Sequence, residues 1–388
     1  MSVTAAQGFR AAGVCAGIKQ SGNPDVAVIV NDGPSDVAVA VFTTNAFAAA
    51  PVIWSRQVVA DGTARLVVVN SGGANACTGA AGFADTHATA EHAAGLAQAV
   101  GKDFGAGEVV VCSTGLIGER LPMEKLLGGV DSAFAAASPE GGDSAATAIM
   151  TTDSVPKVSV AHGSGYTVGG MAKGAGMLAP GLATMLVFIT SDALVTREVA
   201  DSALRQATAH TFDRIDSDGC MSTNDTVLLM ANGASDVVPE TVEFARVVQE
   251  VCADLARQLI ADAEGASKDI AITVSGAATE ADALEAARAI GRSNLLKCAI
   301  HGEDPNWGRV LSALGTTSAL FDPASVDVAI NGVKVCKGGG IGDPRDLVDM
   351  GAREVFIDVE LHAGAFAVTI WTNDLTADYV HENSAYST

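Results

Sequence analysis

Short runs of apolar, β-branched residues alternate along the chain with longer stretches in which apolar residues recur at helical spacing. The run at 66–69 ends at a glycine-rich segment, and the run at 109–111 ends just before the polar residues 113–115. Between them, residues 85–100 are rich in alanine with helical spacing. Continuous apolar runs are typical of buried strands, so the pattern predicts strands that deliver polar loops to a site, with a helix packed on their sheet.

Helical periodicity returns in the second half of the chain. We expect a helix to begin at Thr196, and a longer one to run from Glu243 to Asp262. Gly265 follows the second helix and suits a left-handed C-terminal cap.

The last third of the chain combines strand and helix signals. Residues 270–274 alternate as a strand, Thr279 resembles a helix N-cap, and the chain from about 325 has strand-like runs separated by glycine. The pattern as a whole predicts a mixed α/β fold. We expect three domains, divided as follows: 1–192, 193–276 and 277–388.

Composition limits the class of protein. Of 388 residues, 48% are hydrophobic and only 18% are charged, which provides for a large core and argues against disorder. A net charge of -22, from 23 basic and 45 acidic residues, excludes a typical nucleic-acid-binding surface. The sequence has neither a secretory signal pattern nor an apolar run long enough to span a membrane, so we expect a cytoplasmic protein.

The cysteines do not indicate a metal site. All 7 are dispersed, without CxxC spacing or interleaved histidines, so we expect buried thiols and neither zinc nor a disulfide framework.

Thr184 stands between the glycine-rich segment 169–181 and the apolar run 185–189. Glycine and proline would let the chain turn sharply at Ala183, so that the Thr184 hydroxyl attacks the preceding carbonyl. If that peptide bond breaks, the freed α-amine titrates at about 7.7 to 8.0 and can serve the hydroxyl as its base. The local sequence alone favours Thr184 as simply the first residue of a buried strand. The glycine-rich segment lacks the spacing of a phosphate-binding loop.

Several ordered blocks resemble those of the glutamate N-acetyltransferase (ornithine acetyltransferase) family of arginine biosynthesis, called ArgJ. The segment from Lys173 to Thr184 resembles the processing site of that family. The other blocks lie at 70–79, 112–118, 150–153, 222–226, 262–268, 304–309 and 379–388.

The resemblance implies an αββα-type sandwich around a self-cleaved threonine, with smaller C-terminal α/β domains. Cleavage between Ala183 and Thr184 would leave an α chain, 1–183, and a β chain, 184–388. Two copies of each are expected to assemble.

The resemblance also implies the roles of individual residues. Thr184 is the nucleophile, and the Thr114 hydroxyl and Gly115 N–H form the oxyanion hole. The expected substrate contacts are Thr151, Lys173, Thr184, Glu264, Asn383 and Thr388. Taken alone, Thr114 and Gly115 fit a strand-end turn, Lys173 a solvated lysine in a loop, and Glu264 a solvated acid after a helix. Thr152, next to Thr151, remains an alternative contact.

The implied reaction transfers an acetyl group from N-acetylornithine to glutamate through an acetyl ester of Thr184. No cofactor is required, although acetyl-coenzyme A is an alternative acetyl donor in some members of the family. Two other functions stay open at this point. One is an N-terminal-threonine amidase or aminopeptidase, and the other is a non-catalytic oligomeric or ligand-binding protein.

Overall fold

Fifteen strands and ten α-helices form most of the regular structure in residues 2–178 and 185–385, the residues that the computed structural model describes. The strands are β1 (Phe9–Val14), β2 (Val26–Asn31), β3 (Val37–Phe42), β4 (Leu66–Asn70), β5 (Val109–Ser113), β6 (Lys157–His162), β7 (Thr167–Lys173), β8 (Leu186–Ser191), β9 (Thr226–Ala231), β10 (Asp269–Ala277), β11 (Asp327–Ile330), β12 (Val333–Lys337), β13 (Gly340–Ile341), β14 (Glu354–Glu360) and β15 (Phe366–Asn373). The helices are α1 (Ala50–Val58), α2 (Gly79–Ala99), α3 (Met123–Ala136), α4 (Gly142–Ala148), α5 (Arg197–His210), α6 (Thr241–Ala261), α7 (Glu280–Gly291), α8 (Asn294–His301), α9 (Trp307–Leu314) and α10 (Ala377–Ala385). Within the described ranges, every helix is too short or too polar to cross a bilayer.

Two sheets pack face to face at the centre of the fold. Their strand orders are β1-β2-β4-β5 and β3-β9-β8-β7-β6. Ile29 of one sheet and Met171 and Phe188 of the other belong to the fully buried core between them. Helices α2 and α3 pack on the outer face of the first sheet, and α5 and α6 on the outer face of the second. The predicted αββα sandwich is therefore confirmed.

The middle layers explain the continuous apolar runs in the sequence. Strands β4 and β5 are buried at every position, because a core covers each face of their sheet. The two strands are parallel, with Asn70 paired to Ser113, so both end at the same edge. The polar loops that follow them therefore meet there, as the pattern predicts.

The third sheet has the strand order β13-β12-β11-β14-β10-β15. Its strands alternate between buried and exposed positions, as in β14, because α7, α8 and α9 cover one face only. Strand β9, from the predicted middle domain, lies between β3 and β8, whereas β10 pairs with β14 and β15. The three-domain division itself stays a prediction.

The predicted helix starts are confirmed, but the predicted role of one glycine is wrong. The side chain of Thr196 accepts a hydrogen bond from Val199 N–H at 3.4 Å, and that of Thr279 accepts one from Asp282 N–H at 3.1 Å. Helix α6 ends at Ala261, too early for Gly265 to be its C-terminal cap. Gly265 has a φ of 60°, and a Cβ there would overlap the backbone of Tyr379. The glycine is needed because α10 approaches the chain at this point.

Candidate active site

A cavity of about 200 Å³ lies where the two central sheets meet the C-terminal helix α10. Six of the predicted site residues line it: Thr114, Gly115, Thr151, Lys173, Glu264 and Asn383. The other three, Ala183, Thr184 and Thr388, lie outside the described residues. The fold therefore gathers into one cavity residues that are far apart in sequence, while their individual roles stay predictions.

The predicted oxyanion pair directly follows strand β5. Thr114 continues the ladder, because its N–H donates to Asn70 O and its carbonyl accepts from Gly73 N–H, each at 3.0 Å. Gly115 then turns with a φ of 132°, and a Cβ there would lie 2.8 Å from the Gly73 nitrogen. Only glycine fits both the backbone conformation and the space at this position.

Lys173 contacts Thr114 of the predicted oxyanion pair. Its Nζ donates to Thr114 Oγ1 at 3.3 Å. Because that oxygen accepts from an ammonium group, the hydroxyl proton of Thr114 is available for a different acceptor in the cavity.

The predicted environment of Lys173 is wrong. The residue is 1% exposed and is the last of β7, where it pairs with Leu186 of β8, rather than part of a loop. Pairing with β8 continues to this residue and keeps the lysine inside the sandwich.

Asp153 connects the two segments that carry Thr151 and Lys173. Its Oδ1 accepts from Lys157 Nζ at 2.7 Å and from Gly174 N–H at 2.6 Å. Its Oδ2 accepts from Thr151 N–H at 2.9 Å. A single buried carboxylate thus holds one loop of the cavity against the end of β7.

The charges around Lys173 partly compensate its burial. Burial lowers the pKa of the Lys173 ammonium, Asp153 opposes that change, Lys157 adds to it, and Asp225 and Glu264 oppose it. Burial alone would raise the pKa of Asp153. The charges of Lys173 and Lys157, with the hydrogen bonds from Gly174 and Lys157, outweigh burial and hold that pKa at about 2.

Glu264 and Asn383 meet at the C-terminal side of the cavity. Asn383 Nδ2 donates to Glu264 Oε2 and to Tyr379 O, each at 3.0 Å. The backbone N–H of Glu264 donates to Ala175 O at 3.0 Å. Burial, together with the charges of Asp218, Cys220 and Glu264, raises the pKa of Tyr379 to about 12, so its hydroxyl stays neutral.

Among the cavity residues to which the sequence analysis gave no role are Asp218, Cys220 and Tyr379. Asp218 accepts from Met177 N–H at 2.6 Å and from Cys220 N–H at 3.1 Å, and burial raises its pKa. In the sequence, Asp218 and Gly219 are typical of an ordinary turn, so no local signal marks them. Thr151 and Thr152 both line the cavity, so both remain candidates.

Asp225 contacts Met185, the residue that follows Thr184 in the sequence. It is fully buried, and its Oδ1 accepts from Met185 N–H at 3.1 Å. Burial raises the pKa of Asp225 well above its usual value, and the Met185 N–H and the charge of Lys173 oppose this rise.

Across residues 2–178 and 185–385, no group of three or more His, Cys, Asp or Glu side chains could hold a metal ion.

Comparison with known proteins supplies the family. A family model described as the ArgJ family matches residues 10–388. An arginine biosynthesis bifunctional protein ArgJ from Streptomyces avermitilis is 66% identical over 387 residues, covering 100% of both chains. The protein of the same name from Thermobifida fusca is 63% identical over 388 residues, also covering 100% of both.

Two crystal structures also resemble the chain. The ornithine acetyltransferase of Mycobacterium tuberculosis, complexed with ornithine, is 57% identical, with 48% of this chain and 96% of that chain covered and a TM-score of 0.46. The arginine biosynthesis bifunctional protein ArgJ of Bacillus halodurans is 35% identical, with 51% and 98% covered and a TM-score of 0.48.

The resemblance that the sequence blocks indicate is confirmed by the extent of these matches. The family match leaves only the first few residues uncovered, and the curated relatives align along their full length. The chain therefore belongs to the ArgJ family and is an acyltransferase of arginine biosynthesis.

Proposed function

We propose that the protein transfers an acetyl group from N-acetylornithine to glutamate through an ester on Thr184. The observation that carries this proposal is the composition of the cavity. A buried ammonium, Lys173, contacts the predicted oxyanion donor Thr114, and the carboxylate Glu264 lines the same cavity. An amino acid with an α-carboxylate and a side-chain ammonium complements these two charges.

Self-cleavage prepares the nucleophile. The Thr184 hydroxyl attacks the Ala183 carbonyl, the acyl group moves from nitrogen to oxygen, and water then hydrolyses the ester. The new α-amine of Thr184 is the base that the hydroxyl needs. We expect Asp225, which binds the N–H of Met185, the next residue, to support this amine.

Acetyl transfer then has two halves. In the first, Thr184 Oγ attacks the acetyl carbonyl, its proton passes to the α-amine and then to the leaving nitrogen, and ornithine departs. In the second, the glutamate amine attacks the ester and N-acetylglutamate departs. Thr114 and Gly115 donate to the oxyanion in both halves. The route uses no cofactor.

The remaining predicted residues bind the substrate. Lys173 pairs with the α-carboxylate, Glu264 with the side-chain ammonium, and Asn383 orients Glu264 by its hydrogen bond. We expect Thr151 and Thr388 to add further substrate contacts. Because relatives are named bifunctional proteins, we also propose acetyl-coenzyme A as a second acetyl donor.

The Thr184→Ala variant tests the proposal. We expect one uncut 39.0 kDa species under denaturing conditions and no acetyl transfer, whereas the wild type gives two fragments. A mass-tagged acetyl group on N-acetylornithine should appear on glutamate. Tagged acetate in place of tagged N-acetylglutamate would identify an amidase. An active Thr184→Ala variant would refute the role of Thr184 as the nucleophile.

A further inference from the structure

Asn224 lines the cavity, and its side-chain oxygen is buried without a donor among the described residues. Asn224 is 5% exposed, and its Nδ2 donates to Ala74 O at 3.0 Å and to Thr223 Oγ1 at 3.2 Å. Because a carbonyl can only accept, Ala74 O fixes which end of the amide is the nitrogen. Oδ1 therefore faces elsewhere, and it has no hydrogen-bond partner in the described part of the chain.

This acceptor is anchored to the segment that pairs with the predicted oxyanion hole. Ala74 N–H donates to Leu116 O, and the preceding Gly73 N–H donates to Thr114 O, each at 3.0 Å. Asn224 and the oxyanion donors are thus held by neighbouring residues of one ladder. Both Asn224 and Thr114 line the cavity.

In a trans acetyl amide, the C=O and the N–H point to opposite sides of the planar group. A cavity that binds the oxygen through donors therefore also needs an acceptor, across from them, for the N–H. Buried acceptors are rarely left unpaired, because the loss of water is not compensated. A ligand N–H is the partner that would satisfy Oδ1 here.

We propose that Asn224 Oδ1 accepts a hydrogen bond from the reacting nitrogen of the substrate. This inference rests on the proposed function. In the first half-reaction, the donor is the amide N–H of N-acetylornithine, and in the second it is one N–H of the glutamate amine. Asn224 takes up no proton. It holds the nitrogen so that its lone pair can receive a proton from Thr184 in one half and attack the ester in the other.

The test removes either partner of this hydrogen bond, the N–H of the substrate or the Oδ1 of Asn224. N-acetylornithine is compared with the acetate ester of the corresponding hydroxy acid, in which oxygen replaces the amide N–H. The kcat/KM of acetyl-enzyme formation is measured in single turnover without glutamate. For Asn224→Ala, we expect roughly a ten- to hundredfold loss with the amide, the usual effect of deleting a buried hydrogen-bond partner, and less than about a threefold loss with the ester.

Asn70→Ala is the matched control. Asn70 is also buried, donates to Ser113 Oγ at 2.6 Å and accepts from Gly72 N–H at 3.3 Å, but it does not line the cavity. Its replacement should change both reactions by the same factor. If Asn224→Ala is poorly folded, Asn224→Ser supplies a second variant, because its shorter side chain withdraws the acceptor but retains a donor for Ala74.

The outcomes separate the two proposals. Equal losses of kcat/KM with amide and ester in the Asn224 variants would overturn the role of Asn224. So would a failure of these variants to cleave themselves, because Oδ1 would then act on residue 184 during self-cleavage and not on the substrate. Absence of acetyl transfer in the wild type would instead overturn the proposed function.

Discussion

Asp153→Asn should destabilise the protein in a pH-dependent way. The Asp153 side chain is 0% exposed and receives donors on both oxygens: Lys157 Nζ and Gly174 N–H on Oδ1, and Thr151 N–H on Oδ2. Whichever way the amide of the variant turns, its NH₂ group meets another donor. The substitution also removes the negative charge between Lys157 and Lys173.

The pKa of Asp153 sets the magnitude. It falls from 3.8 to about 2, and at about 1.36 kcal/mol per unit the charge contributes on the order of 2 kcal/mol to folding. Breaking a buried pair costs about 3 to 5 kcal/mol in general. In the Asp153→Asn variant, Lys157 would keep its ion pair with Asp262 at 2.5 Å. We therefore expect the free energy of unfolding to fall by the low end of this range, about 3 kcal/mol.

The sign of the pH dependence follows from the direction of the shift. The pKa is lower in the folded state, so the stabilisation is complete above the unfolded pKa of about 3.9 and is lost as pH falls towards about 2. The free energies of unfolding of wild type and variant should therefore differ most at neutral pH and converge below about pH 4.

Urea unfolding followed by circular dichroism at several pH values measures this difference. Asp201→Asn is the matched control, because it removes the same charge from the exposed pair of Asp201 with Arg205 and should cost less than about 1 kcal/mol. A variant at Asp153 as stable as the wild type at neutral pH, or a difference that does not narrow in acid, would refute the reasoning.

Two further predictions concern the cavity. Gly115→Ala should lower kcat about a hundred- to a thousandfold in steady-state assays, because a Cβ 2.8 Å from the Gly73 nitrogen displaces the oxyanion N–H, and an unchanged kcat would contradict that role. Glu264→Gln should raise KM for N-acetylornithine roughly ten- to hundredfold without raising KM for glutamate, whose side chain carries no ammonium. Glu250→Gln, which removes an equal charge from the exposed pair with Arg246, should leave both KM values unchanged, and a parallel rise for both substrates would argue against charge recognition by Glu264.

Much of the fold was predictable because its signals are local. The apolar runs at 66–69 and 109–111 became buried strands, and the threonines at 196 and 279 became N-caps, since a strand core or a cap depends on a few neighbouring residues. Gly265 was misassigned for the same reason. Its left-handed conformation was expected from the helix before it, but the contact that requires glycine comes from Tyr379, far along the chain.

The site was predictable only in part. Residues within recognisable blocks, such as Thr114 and Lys173, could be matched to a family, but Asp218 carries no local pattern that separates it from an ordinary turn residue. Tyr379 begins the block at 379–388, yet nothing local indicates that it lines the cavity. The burial of Lys173 was also beyond the sequence, because its solvation depends on how far β7 pairs with β8.

The sequence by itself indicated the types of elements, the family and the residues available for acyl transfer, because periodicity, caps and the blocks that resemble the family depend on residues close together in the chain. The tertiary structure decided which of those residues share a cavity and which charges lie beside them. Asp153 stabilises the charge of Lys173, which lies on a different segment of the chain. Asn224 Oδ1 is buried by the fold and has no hydrogen-bond partner among the described residues. Burial and electrostatic coupling depend on distances in space, and these distances cannot be read from the order of residues in the chain.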